Sequence, residues 1–120
     1  MNVLIVESNE ALAALWRSHL QRSGLHVTHT MTEEQAVTQI ETRMFNVIVL
    51  NLLLAHGSAM AVADYARFRH PGTNVIFVTD TAFFSDGSIF GLMPNARAYI
   101  DSATPPEDIA AMVEHYGRAA

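Results

Sequence analysis

Four short apolar runs end in residues that can do chemistry. Val3-Leu4-Ile5-Val6 ends at Glu7-Ser8, Val47-Ile48-Val49-Leu50 at Asn51, Val75-Ile76-Phe77-Val78 at Thr79, and Ala98-Tyr99-Ile100 at Asp101-Ser102. Carboxylates, an amide and hydroxyls brought to one place can hold a cation or a hydrogen-bonded ligand. Glu7, Asp80 and Asp101 would form a divalent-metal site if the fold gathered them. The more ordinary reading of Asp80 and Asp101 is solvated loop acids or turn formers.

Other chemistries fall away. The chain has no cysteine, so disulfides, thiolate zinc sites and cysteine nucleophiles are excluded. All basic side chains other than histidine are arginines, which excludes lysine Schiff bases and a Walker-type phosphate loop. Ser8, Ser58, Ser85 and Ser102 lack a Gly-x-Ser-x-Gly elbow and a histidine placed as base. Glu7-Ser8-Asn9-Glu10 stands where a dinucleotide fingerprint would need glycines. His26 and His29, three apart on a strand, point to opposite faces and cannot chelate together. His19 and His115 fall on different helices without ligand-like neighbours. His56 follows the Asn51 loop and is within reach of a pocket there, although a lone loop histidine is ordinarily a surface residue.

Composition narrows the class further. The chain has 120 residues, half of them hydrophobic and 16% charged, which fits one folded domain over 1–120 rather than a disordered chain. A net charge of −5 argues against nucleic-acid binding by this domain. No apolar run reaches the roughly 18–20 residues of a membrane span. Met1-Asn2-Val3-Leu4 has no basic leader, so a cytoplasmic location is expected.

The residues named above need elements to position them. Val3–Val6, Leu25–His29, Asn46–Leu50, Asn74–Thr79 and Arg97–Asp101 read as strands. Ser8 or Asn9 caps a helix with an apolar stripe of Leu12, Leu15, Trp16 and Leu20, ended by Gly24. Thr32-Glu33-Glu34-Gln35 reads as a capping box before Ala36, Ile40 and Met44. A third helix starts near Gly57 or Ser58, carries Ala61, Tyr65 and Phe68, and stops at His70-Pro71-Gly72. The stretch from Thr81 to Ala96 predicts a short or irregular helix. Thr104-Pro105-Pro106-Glu107 starts the last helix, with Ile109, Met112, Val113 and Tyr116 at helical spacing. Five strands alternating with five helices imply an α/β fold with a parallel sheet and helices on both faces. At this length the flavodoxin-like order 2-1-3-4-5 is expected, with function at the carboxyl ends of the strands.

These positions resemble the response-regulator receiver family, that of the chemotaxis response regulator, over essentially the whole chain. Val3–Asn9 matches its first strand and acidic pair, at Glu7 and Ser8. Val47–Asn51 matches the strand that ends in the phosphoacceptor aspartate, which falls at Asn51. Val75–Thr79 matches the strand with the switch hydroxyl, at Thr79. Ala96–Ala103 matches the segment with the switch aromatic, at Tyr99, then lysine and proline, at Ser102 and Ala103.

The departures carry the functional reading. The resemblance implies an aspartate nucleophile, three carboxylates for magnesium and a lysine. Here Asn51, Ser8 and Ser102 replace the nucleophile, one acid and the lysine, and only Glu7 remains acidic. An amide is a poor nucleophile and forms no acyl-phosphate. Magnesium binding is expected to be weak or absent, no other cofactor is implied, and catalysis is not expected. Loss of acids and lysine together leaves a largely neutral pocket, as in a pseudo-receiver.

The expected function is a phosphorylation-independent receiver in bacterial two-component signalling or a phosphorelay. It would act as a protein-interaction module, by homodimerising or docking a protein partner. Phe83, Phe84, Phe90 and Tyr99 are its candidate interface, and Trp16 a possible second anchor. The alternative is a small-molecule or metal sensor with a pocket rebuilt around Glu7, Asn51, Thr79 and His56. The ending Gly117-Arg118-Ala119-Ala120, without a linker, slightly favours a complete single-domain protein.

Overall fold

The computed structural model describes residues 1–79 and 95–119. Among them lie five strands: β1 (Asn2–Val6), β2 (His26–Thr30), β3 (Val47–Asn51), β4 (Asn74–Thr79) and β5 (Ala96–Asp101). Four helices accompany them: α1 (Glu10–Arg22), α2 (Glu33–Thr42), α3 (Ala59–Arg69) and α4 (Pro106–Ala119). The strands form one parallel sheet in the order β2-β1-β3-β4-β5. This is the expected flavodoxin-like topology. The helix predicted between Thr81 and Ala96 falls largely outside the described residues.

The central strands are buried on both faces, as continuous β-branched runs in a parallel sheet require. Alternation along each strand then feeds two cores. Leu4, Val6, Ile48, Leu50, Val75 and Phe77 pack with Ala36 and Ile40 of α2 and with Ala59, Val62, Ala63 and Ala66 of α3. Val3, Ile5, Val47, Val49, Ile76 and Val78 pack with Ala13, Trp16 and Leu20 of α1 and with Ile109, Ala110 and Val113 of α4. Helices therefore cover both faces.

The helix starts follow their capping residues. Asn9, Thr32 and Ser58 each accept a hydrogen bond from the backbone N–H three residues on, at Leu12, Gln35 and Ala61. The box at α2 closes one residue early, because Gln35 Oε1 accepts from Met31 N instead of Thr32 N. Gly24, with φ +84°, closes α1 in the left-handed conformation that favours glycine.

Three apolar assignments differ from the sequence reading. α3 buries Ala59, Val62, Ala63 and Ala66, whereas Ala61 and Phe68 face solvent. The small side chains pack among the sheet residues and against the neighbouring α2, and Phe68 falls on the opposite face. Met44 lies beyond the end of α2 and is exposed, and Phe45 takes the core position. On α1, Leu15 is exposed while Ala13 and Trp16 are buried, so Trp16 is a core residue and not a surface anchor. Among the described residues no helix is long and apolar enough to cross a membrane.

Candidate functional site

The strand register assembles the candidate residues at one end of the sheet. Val6 pairs with Leu50, which sets Glu7 beside Asn51 one step on. Asn51 pairs with Val78, and Thr79 with Asp101. The last pairing depends on an irregularity between Val75 and Ile76. There β5 steps from Ala96 to Ala98 and skips Arg97.

Glu7 and Asn51 form the centre. Glu7 is 2% exposed, and its Oε1 accepts a hydrogen bond from Asn51 Nδ2 at 2.6 Å. Its Oε2 accepts from Asn9 N at 3.1 Å. Asn51 Oδ1 accepts from Leu53 N at 2.9 Å, which fixes the orientation of the amide. A buried carboxylate needs donors on both oxygens, and the amide and the start of α1 supply them.

Ser8 has a different task. Its hydroxyl donates to Met31 O at 3.0 Å and accepts from Ala55 N at 2.9 Å. It ties the loop after β2 to the loop after β3. An aspartate here would present only acceptors to the Met31 carbonyl.

Thr79 is buried, and its Oγ1 has no hydrogen-bond partner among the described residues. Its backbone carbonyl accepts from Ser102 N at 2.9 Å, so Ser102 sits close to the end of β4. Asp101 Oδ1 accepts from Ala103 N at 2.7 Å, a turn-forming role. Tyr99 is half-buried, not an exposed ring. It stacks on its cross-strand neighbour Phe77 with centroids 5.1 Å apart and planes 17° from parallel. Burial raises the pKa of its phenol above the ordinary 10.0.

Both Glu7 oxygens, Asn51 Oδ1 and the Ser8 hydroxyl already hold protein hydrogen bonds. No cluster of three or more metal-ligating side chains occurs among the described residues. Asp80, and the interface candidates Phe83, Phe84 and Phe90, lie outside those residues. His56 is exposed and lines a groove with Thr32, Glu33, Glu34 and Glu41 on α2, instead of joining Glu7 and Asn51.

One contributor escaped the sequence reading. His29 Nε2 donates to the Glu7 carbonyl at 2.9 Å and steadies the backbone of the central carboxylate. Strand order was the available signal, because β2 beside β1 sets residue 29 next to the end of β1.

Comparison with known proteins bears on the same residues. A family model described as the response regulator receiver domain matches residues 3–114. The regulatory protein LuxO of Vibrio vulnificus (strain YJ016) is 31% identical over 75 residues, which is 62% of this chain and 17% of that protein. The luminescence regulatory protein LuxO of Vibrio campbellii matches with the same identity and coverage. The matched region is therefore a small part of these relatives' length. A CheY-like response regulator receiver domain protein from Methanospirillum hungatei JF-1 superposes with a TM-score of 0.88 at 24% identity, covering 98% of this chain and 94% of that one. The non-phosphorylated HemR receiver domain from Leptospira biflexa superposes with a TM-score of 0.84 at 20% identity, covering 97% and 93%. At these identities the two structures show the shared fold.

Proposed function

The chain belongs to the response regulator receiver domain family of two-component signalling, and from that premise we propose that it signals without aspartyl phosphorylation, as a protein-interaction module. In this reading Asn51 stands at the phosphoacceptor position, Glu7 and Ser8 at the acidic pair, Thr79 and Tyr99 at the switch positions and Ser102 at the lysine position.

The observation that carries the reading is the bond from Asn51 Nδ2 to Glu7 Oε1. Phosphoryl transfer needs an oxygen nucleophile with electrons to give. The amide nitrogen's lone pair is delocalised, and here its N–H is committed to a buried carboxylate. The Asn51 oxygen is likewise occupied by Leu53 N. The negative charge that a metal and a lysine offset in other receivers is held here by an amide and a backbone N–H. Ser8 uses its hydroxyl to fasten two loops that ligand binding would otherwise be free to move. Tyr99 resting on Phe77 supports a switch pair held in one arrangement.

The partner is a protein or a second copy of the chain, in a bacterial cytoplasm, and Phe83, Phe84, Phe90 and Tyr99 are the residues to test as its contacts. Thermal unfolding with magnesium and beryllofluoride, a phosphoryl mimic, tests the reading. A bound ligand at a hundredfold excess over its dissociation constant stabilises by about 2.7 kcal/mol. We expect no shift in the midpoint. A saturable rise would show a working phosphorylation pocket and refute the proposal.

A further inference from the structure

We propose that a second copy of this chain docks on the solvent face of α3, by a two-fold contact centred between Asp64 and Tyr65. The face opposite the sheet carries Ala61, Asp64, Arg67 and Phe68, all exposed. Phe68 is 79% exposed, more than any other large apolar side chain among the described residues. Its ring leans on Tyr65, with centroids 6.5 Å apart. A phenyl ring held in water forgoes one of the larger burial gains available to a side chain.

The layout around it is self-complementary. Ala61 and Phe68 are seven residues apart, about two turns or roughly 10.5 Å along the axis. Rotating an antiparallel copy about an axis between Asp64 and Tyr65 sets each Phe68 over the second copy's Ala61. A large side chain opposite a small one is how helices interdigitate. The same rotation brings each Arg67 level with the second copy's Asp64 to within about two residues of rise, roughly 3 Å, which an arginine spans. Within one chain Arg67 Nη2 and Asp64 Oδ1 lie 2.9 Å apart, with both side chains more than half exposed. The two Asp64 carboxylates then lie about one residue of rise apart at the axis, with an Arg67 beyond each, so two acids and two bases make a neutral group that a partner of a single charge sign would not complete. An isologous interface requires that self-complementarity. The face shares no residue with the Glu7–Asn51 site, so the two readings can fail separately.

Sedimentation velocity on the full chain over a concentration series tests this, with Phe68→Glu, Asp64→Arg and Arg67→Asp. Circular dichroism confirms that each variant is folded. The wild type should reach twice the chain mass of 13.2 kDa. Phe68→Glu should raise the dissociation constant about a hundredfold, because it removes two anchors per dimer. Asp64→Arg and Arg67→Asp should each weaken association alone. Mixed together they should dimerise again, since every 64–67 pair across the axis is once more opposite in sign. A wild type that stays monomeric throughout overturns the proposal. So does a dimer indifferent to Phe68→Glu, or a mixture no tighter than its components.

Discussion

Replacing Asn51 by aspartate removes the donor to Glu7 and sets two carboxylates side by side. In the native protein the contact is 2.6 Å and Glu7 is almost fully buried. Two unit charges about 4 Å apart repel by about 4 kcal/mol at an effective dielectric near 20. Loss of a hydrogen bond to a charged group adds about 1.5–3 kcal/mol. The variant has one escape, which is to protonate a carboxyl. At neutral pH that costs about 1.36 kcal/mol per unit above an ordinary pKa near 4, or about 4 kcal/mol. The penalty therefore levels off near 4 kcal/mol. It should shrink by about 1.4 kcal/mol for each unit of pH lowered towards the carboxylate range, because the escape becomes cheaper. Added magnesium should recover part of the loss by neutralising the pair, and should leave the wild type unchanged. Asn51→Ala, which adds no charge, should cost about 2 kcal/mol with little dependence on pH. Urea unfolding followed by the fluorescence of the single tryptophan, Trp16, measures all of these. An Asn51→Asp variant as stable as the wild type at neutral pH without metal would refute the coupling of residues 7 and 51.

Three further outcomes follow from the same geometry. Ser8→Ala should cost about 1–2 kcal/mol, since two hydrogen bonds are lost, and should speed proteolysis in the loop between β3 and α3. Tyr99 has a raised pKa in the folded chain, so the unfolded chain releases that proton first and stability should fall as the pH rises through about 10. Stability measured across that range should show a weaker decline in Tyr99→Phe. Trp16 is fully buried with Nε1 unpartnered among the described residues, so Trp16→Phe should cost under about 2 kcal/mol in equilibrium unfolding, whereas Trp16→Ala should cost about 3–5 kcal/mol.

The central strands β1, β3 and β4 were legible because their residues are buried on both faces and read as nearly unbroken apolar runs, whereas β2 and β5 are only partly buried. The run Asn74–Thr79 matches β4 at both ends, and the others match to within a residue. Asn9, Thr32 and Ser58 were legible because a side-chain oxygen at a helix start has a defined backbone target. The faces of the helices were less so. Large apolar residues drew the α3 stripe towards Tyr65 and Phe68, but Ala59, Val62, Ala63 and Ala66 fill the core against α2 and the sheet residues and leave Phe68 in water. Met44 and Phe45 are equally apolar in sequence, and the end of α2 at Thr42 decides which turns inward. At the site, strand order was enough to bring Glu7 to Asn51 and Thr79 towards Ser102. The use of Ser8 was not legible, because its partners are a backbone carbonyl and a backbone N–H, and neither depends on residue type. The irregularity that aligns Tyr99 with Phe77 has no marker in the Ala96-Arg97-Ala98 sequence.

Signalling without phosphorylation at residue 51 is the central proposal. Its most direct test is the intact mass of the protein after incubation with acetyl phosphate and magnesium, read beside Asn51→Asp. The account predicts that the native protein keeps its unmodified mass. A stable gain of one phosphoryl group on a residue at the ends of β1, β3 or β4 would contradict it.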